Sequence, residues 1–191
     1  MADRVWTTEP HKELEVKVGT EGTSALAPVT VNEKFKETVD KFGDCPALCF
    51  KDLSQGGSVE DTEWTTLTWK EYHGLAVKFA KSLLSLNFAP HRCINVLGFN
   101  SKEWFIANLG AITAGGISAG IYTTNLPDAC KYISDHSQAE VVVVEGAKQL
   151  SKYLEIADQL ANLKALVVYG EPVPEGASCK VPIYSFDDFL E

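Results

Sequence analysis

Four short apolar runs, "CINVLGF", "ISAGIY", "EVVVVEG" and "KALVVYG", lie between residues 93 and 170 and are separated by helix-length patterns. This spacing constrains the fold more than any other feature of the chain. A strand buried on both faces reads as an unbroken apolar run, and such strands are parallel and joined by crossover helices. From residue 64 the reading is β-α-β-α-β-α-β-α-β, with short strands and short loops. It predicts an α/β fold: a doubly wound, mostly parallel sheet with flanking helices.

The helices carry their own start signals. Thr30 and Glu33 make one capping box, Thr68 and Glu71 a second. Behind the first, Val31, Phe35, Val39 and Phe42 share a face, and Gly43 ends the helix. Behind the second, Tyr72, Leu75, Ala76, Phe79, Leu83 and Leu86 recur at helical spacing, the clearest amphipathic pattern in the chain. Asn100 is expected to cap the next helix, with Glu103 at its third position, and Asn125 the one after, with Pro127 in its first turn. "KQLSKYLEIADQLANL" follows as a helix. Upstream, "PALCF" and "WTTLTW" read as a hairpin with a long polar tip. "YSFDDFLE" reads as the opening turns of a last helix, with Asp187 and Asp188 as its acidic first turn.

The segment from Trp104 to Pro127 contains 24 residues and no charge, with Gly110, Gly115, Gly116 and Gly120 close together. A phosphate loop needs G-x-x-x-x-G-K-[ST] after a strand; here Gly116 and Ile117 replace the lysine and hydroxyl, and the glycines follow a helix. A dinucleotide fingerprint is absent too. The length would just cross a membrane, yet Asn108, Ser118, Tyr122, Thr123, Thr124 and Asn125 dilute it. The expectation is a close-packed helix, a glycine turn and a buried strand.

Other chemistry is equally hard to find. A net charge of −9 opposes nucleic acid as a partner. Five scattered cysteines (Cys45, Cys49, Cys93, Cys130, Cys179) fit reduced thiols in the cytoplasm, and Cys45-x3-Cys49 has no second pair to complete a metal site. There is no G-x-S-x-G elbow. His11, His73, His91 and His136 sit in polar or helix-end settings. Lys78 and Lys81 lie on a solvated helix face, and Trp104 reads as an apolar anchor. From these residues the expectation is a scaffold with no catalytic, cofactor-binding or metal-binding residue.

"LTWKEYHGLAVKFAKSLLSLNF", "NSKEW", "AITAGG" and "YTTNLP", in that order, resemble the N-terminal part of AMP-forming acyl-CoA synthetases, the adenylate-forming superfamily. The wording "GIYTTN" is similar to long-chain fatty-acyl-CoA synthetases. The leader "VWTTEPHKELEVKVG" and "APVTVNEKF" resemble their bubblegum-type branch. The resemblance implies residues 1–28 as a polar leader and 29–191 as the N-terminal part of an AMP-binding domain, truncated before the phosphate loop. It implies a parent that uses a long-chain fatty acid, ATP, CoA and Mg2+, with no transmembrane segment and with peripheral membrane contact as an option. The family's phosphate loop ending in Pro-Lys, its Y-x-x-T-E stretch, its T-G-D aspartate and its late lysine match no position here. Only scaffold carries over: Asn100, Glu103, Trp104, Gly115, Gly116 and Tyr122 to Pro127. The isolated chain is therefore expected to be inactive and to bind none of these cofactors. The alternative is a non-catalytic short form serving as a binding module. A truncated sheet is also expected to expose apolar edges.

Overall fold

The computed structural model describes residues 9, 12, 14–52 and 58–191. The leader therefore falls partly outside the described residues, as do His11 and the centre of the hairpin tip. Its continuous described part, from Leu14 to Pro28, holds one exposed 3-10 turn, Gly22–Ala25.

Helix α1 (Val31–Phe42) starts at Thr30, whose hydroxyl accepts the Glu33 N–H while the Glu33 carboxylate takes the Thr30 N–H. Strands β1 (Pro46–Lys51) and β2 (Trp64–Thr68) pair antiparallel as a hairpin of their own. The sequence pattern places β2 in the main alternation; the structure keeps it out of that sheet. Helix α2 (Trp69–Ser85) follows from the second capping box, at Thr68 and Glu71.

The main sheet comprises β3 (Cys93–Leu97), β4 (Ile117–Ile121), β5 (Ala139–Glu145), β6 (Ala165–Tyr169) and β7 (Ile183–Ser185), in the order β4-β3-β5-β6-β7. Every pairing in it is parallel. Helices α3 (Lys102–Thr113), α4 (Pro127–His136), α5 (Gly146–Ile156) and α6 (Phe186–Phe189) accompany these strands. The sequence pattern assigns Tyr184 and Ser185 to the last helix, whereas they belong to β7. With three residues this strand is too short to show alternation, and only its pairing with β6 defines it.

The period of two divides the core into two layers. Val141 and Val143 of β5 face the layer that holds Phe35 of α1, Phe79 of α2, Ile106 of α3 and Phe186 of α6. Val142 and Val144 face the other layer, with Cys130 of α4 and Leu150, Tyr153 and Ile156 of α5. Helices thus cover both faces, as the doubly wound reading requires. The first layer is the aromatic one: Phe79, fully buried, lies 5.7 Å from Phe186 and 5.0 Å from Phe189 between ring centroids. The second contains a polar chain, in which Ser134 Oγ donates to Asn95 Oδ1 at 2.8 Å and lies 3.0 Å from the Tyr153 hydroxyl.

The uncharged stretch resolves into separate causes. A side chain at Gly110 would sit 2.7 Å from the Phe79 ring, so α2 and α3 approach closely only with glycine there. Gly115 has φ +80°, the left-handed turn that lets α3 end and β4 begin. The strand itself is not buried as expected. Among the described residues β4 pairs only with β3 and forms the sheet edge, so Ile117 is 52% exposed and Tyr122 beyond it 82%. An apolar run alone does not tell a central strand from an edge.

Candidate functional site

Counted from β3, the strand order is 2-1-3-4-5, a doubly wound order in which the chain leaves β3 toward β4 on one side and later places β5 on the other. In such sheets ligands bind in the crevice outside the carboxyl ends of the strands, where the order reverses. Here that point lies between the ends of β3 and β5. Three strands end in the same way there, with one last residue and then a glycine: Leu97–Gly98, Glu145–Gly146 and Tyr169–Gly170.

Two of these last residues bond to the neighbouring loop. The Glu145 carboxylate accepts the Phe99 N–H at 2.8 Å, and the Tyr169 hydroxyl donates to the Phe99 carbonyl at 3.2 Å. Gly98 makes room for this: a Cβ would fall onto the Tyr169 hydroxyl and lie 2.8 Å from Glu145 Cβ. Burial pushes the Tyr169 phenol well above its ordinary value of 10. A hydrogen bond with Ser101 opposes that, and the nearby Glu145 and Glu103 add to it. The phenol therefore stays protonated and remains a donor.

The adjoining loops are held the same way. The Glu171 carboxylate accepts the Ala147 N–H at 2.8 Å, at the first turn of α5, and Gly146 turns there with φ +64°. Lys152 on α5 donates to the carbonyls of Thr123 and Asn125, both at 2.7 Å, and so holds the β4–α4 turn. That turn departs from the sequence reading. Leu126, not Asn125, is the N-cap of α4 and offers no side-chain cap, while Pro127 does occupy the first turn. At α3 the cap is Ser101, whose Oγ accepts the Trp104 N–H at 3.1 Å, one residue after the expected Asn100. Glu103 consequently falls at the second helical position, and Trp104 packs half-buried against the first core layer.

Phosphate groups need free N–H donors and positive charge. At this crevice the Phe99 and Ala147 amides are already bonded to carboxylates, Lys152 is bonded to two carbonyls, and Glu145 and Glu171 are acidic. The phosphates of ATP and CoA do not fit here. Nor does Mg2+: each carboxylate serves a backbone amide, and no three His, Cys, Asp or Glu converge among the described residues. His73 packs on the Phe35 ring at 5.1 Å and His136 stacks on Tyr132 at 5.8 Å. Cys45 and Cys49 are exposed and Cys93 and Cys130 buried. What the loops do present is apolar: Phe99 is 70% exposed and Leu126 72%. No described helix is long and apolar enough to cross a membrane.

The profile of the AMP-binding enzyme family matches residues 35–183. The chain belongs to that family. It is 41% identical over 191 residues to the long-chain-fatty-acid–CoA ligase ACSBG2 of Gallus gallus, covering 100% of this chain and 24% of that protein. With the long-chain-fatty-acid–CoA ligase ACSBG1 of Homo sapiens it shares 36% over 189 residues, 99% of this chain and 24% of the relative. The chain thus spans about a quarter of the length of these relatives, in keeping with the resemblance carried by "NSKEW" and "GIYTTN". Among solved structures, the anthranilate CoA ligase AuaEII in complex with anthranoyl-AMP superposes with a TM-score of 0.66 at 23% identity, covering 82% of this chain and 26% of that one. The adenylation domain of a carboxylate reductase from Mycobacterium chelonae gives 0.68 at 18%, covering 85% and 28%. At such identities the likeness establishes the fold.

Proposed function

We propose that this chain is the N-terminal scaffold of an AMP-forming long-chain fatty acid–CoA ligase, with residues 29–191 as the first part of its AMP-binding domain. The whole enzyme joins a long-chain fatty acid to CoA at the expense of ATP, releasing AMP and pyrophosphate, with Mg2+ as its metal, and works in the cytoplasm. The observation that carries this reading is the 41% identity to a long-chain-fatty-acid–CoA ligase along the entire chain.

Taken alone, the chain is inactive. No stretch of it matches the family's phosphate loop, adenine-site stretch, ribose-gripping aspartate or late lysine, and the crevice between β3 and β5 is occupied by Glu145 and Tyr169. ATP–pyrophosphate exchange with palmitate tests this directly. The 191-residue chain is expected to give no saturable exchange; saturable exchange would overturn the reading.

A further inference from the structure

We infer that Glu145 and Tyr169 form a latch that fills the crevice where a sheet of this order ordinarily admits a nucleotide, and that the latch fixes the β3–α3 loop with Phe99 turned out to solvent. Three independent observations converge on it. One residue, Phe99, has its N–H taken by Glu145 at 2.8 Å and its carbonyl by Tyr169 at 3.2 Å. The two latch residues stand side by side, because Glu145 and Tyr169 are register partners in adjacent parallel strands. At position 98 only glycine leaves the phenol its place, since any Cβ would fall onto the hydroxyl.

The chemistry of the two contacts is complementary. A carboxylate accepting an amide N–H is a charge-assisted bond. A buried phenol donating to a carbonyl on the same residue fixes the other side of the loop. Together they leave neither of these groups for a phosphate, and they place a negative charge where a phosphate would approach. Glu145 and Tyr169 are thus positioning residues of the loop. Their effect is to hold the Phe99 side chain, 70% exposed, in one orientation at the carboxyl end of the sheet.

The latch stands apart from the ligase reading. Turnover by the isolated chain would overturn its proposed inactivity and leave the latch, whereas nucleotide contact at the crevice would sink the latch and leave the family reading, which rests on the identity to the ligases. Hydrogen–deuterium exchange read by mass spectrometry tests it, in the peptide covering residues 98–101 and a control peptide from β5. In Glu145→Ala the 98–101 peptide is expected to exchange roughly ten-fold faster with β5 unchanged. Glu145→Gln retains an acceptor oxygen and should stay within about three-fold of the unmodified chain. Tyr169→Phe should loosen the same peptide. Millimolar ATP, with or without Mg2+, should add no protection to the peptide in the unmodified chain. Unchanged exchange in Glu145→Ala, or equal loss in the Ala and Gln variants, would overturn the latch. So would saturable protection of 98–101 by ATP, an outcome that does not depend on any variant folding.

Discussion

The amino end of the five-stranded sheet is closed by an ion cluster. Glu140, 6% exposed, lies 2.9 Å from Lys164 and 3.7 Å from Arg92 and also accepts the Ala89 N–H at 3.1 Å. Lys164 adds a bond to the Asn87 carbonyl, and Arg92 one to Gln138. The carboxyl end is closed differently, by side chains from β5, α5 and β6 that bond to the backbone of neighbouring loops. At the amino end, charges face each other and the adjacent Phe88 is buried. At the carboxyl end, the charges of Glu145, Glu171 and Lys152 are used on peptide groups, and Phe99, Tyr122 and Leu126 are left in solvent. One end tightens the fold; the other sets the orientation of apolar side chains on fixed loops.

The comparison can be broken most forcefully at the amino end. Glu140→Ala leaves Lys164 without its carboxylate and the Ala89 amide without its acceptor. Since the Lys164 and Arg92 side chains are 32% and 34% exposed, water screens part of the effect. A loss of about 2–4 kcal/mol is expected in urea denaturation, below that for a fully buried pair. Gly98→Ala attacks the carboxyl end by overpacking it and should cost about 1–3 kcal/mol. Its exchange signature should appear at 98–101 and not at 87–92. Lys152→Met removes two charge-assisted bonds to Thr123 and Asn125, and about 1–2 kcal/mol of stability with it, read by denaturation and by faster exchange at 123–125.

The smallest effect lies outside both ends and calibrates them. Hydrogen bonds from the Thr30 and Thr68 backbones hold Glu33 and Glu71 below their ordinary value of 4.5. A lowered carboxylate stabilises the folded state fully above that value and loses its contribution as the pH falls through the lower, folded one. Helix protection at the starts of α1 and α2, taken relative to the intrinsic amide exchange rate at each pH, should therefore weaken below about pH 4.5. Both carboxylates are solvent-exposed, so the effect should be slight.

Much of this architecture is legible in the sequence. "EVVVVEG" is a central strand by apolar continuity, and the boxes at Thr30 and Thr68 mark their helices because a cap is a local event. The failures come from contacts between distant residues. Asn125 looks like a cap, but the turn is held by Lys152, 27 residues further on. Asn100 and Ser101 are both capping types, and local pattern does not choose between them. The edge position of β4 depends on sheet order, and β7 on its partner. The latch has one signal in the sequence: three apolar runs ending "LG", "EG" and "YG", two of them placing a polar side chain at the last strand position. That pattern marks a crowded carboxyl end, although only the register of β5 on β6 brings Glu145 beside Tyr169.

The most direct test sets the two ends against each other, by measuring exchange at 98–101 and at 87–92 in both Glu145→Ala and Glu140→Ala. If the ends are separate devices, Glu145→Ala speeds exchange only at 98–101 and Glu140→Ala speeds it at 87–92. If both variants loosen both segments to the same degree, the latch is no more than a share of global stability and the account is wrong.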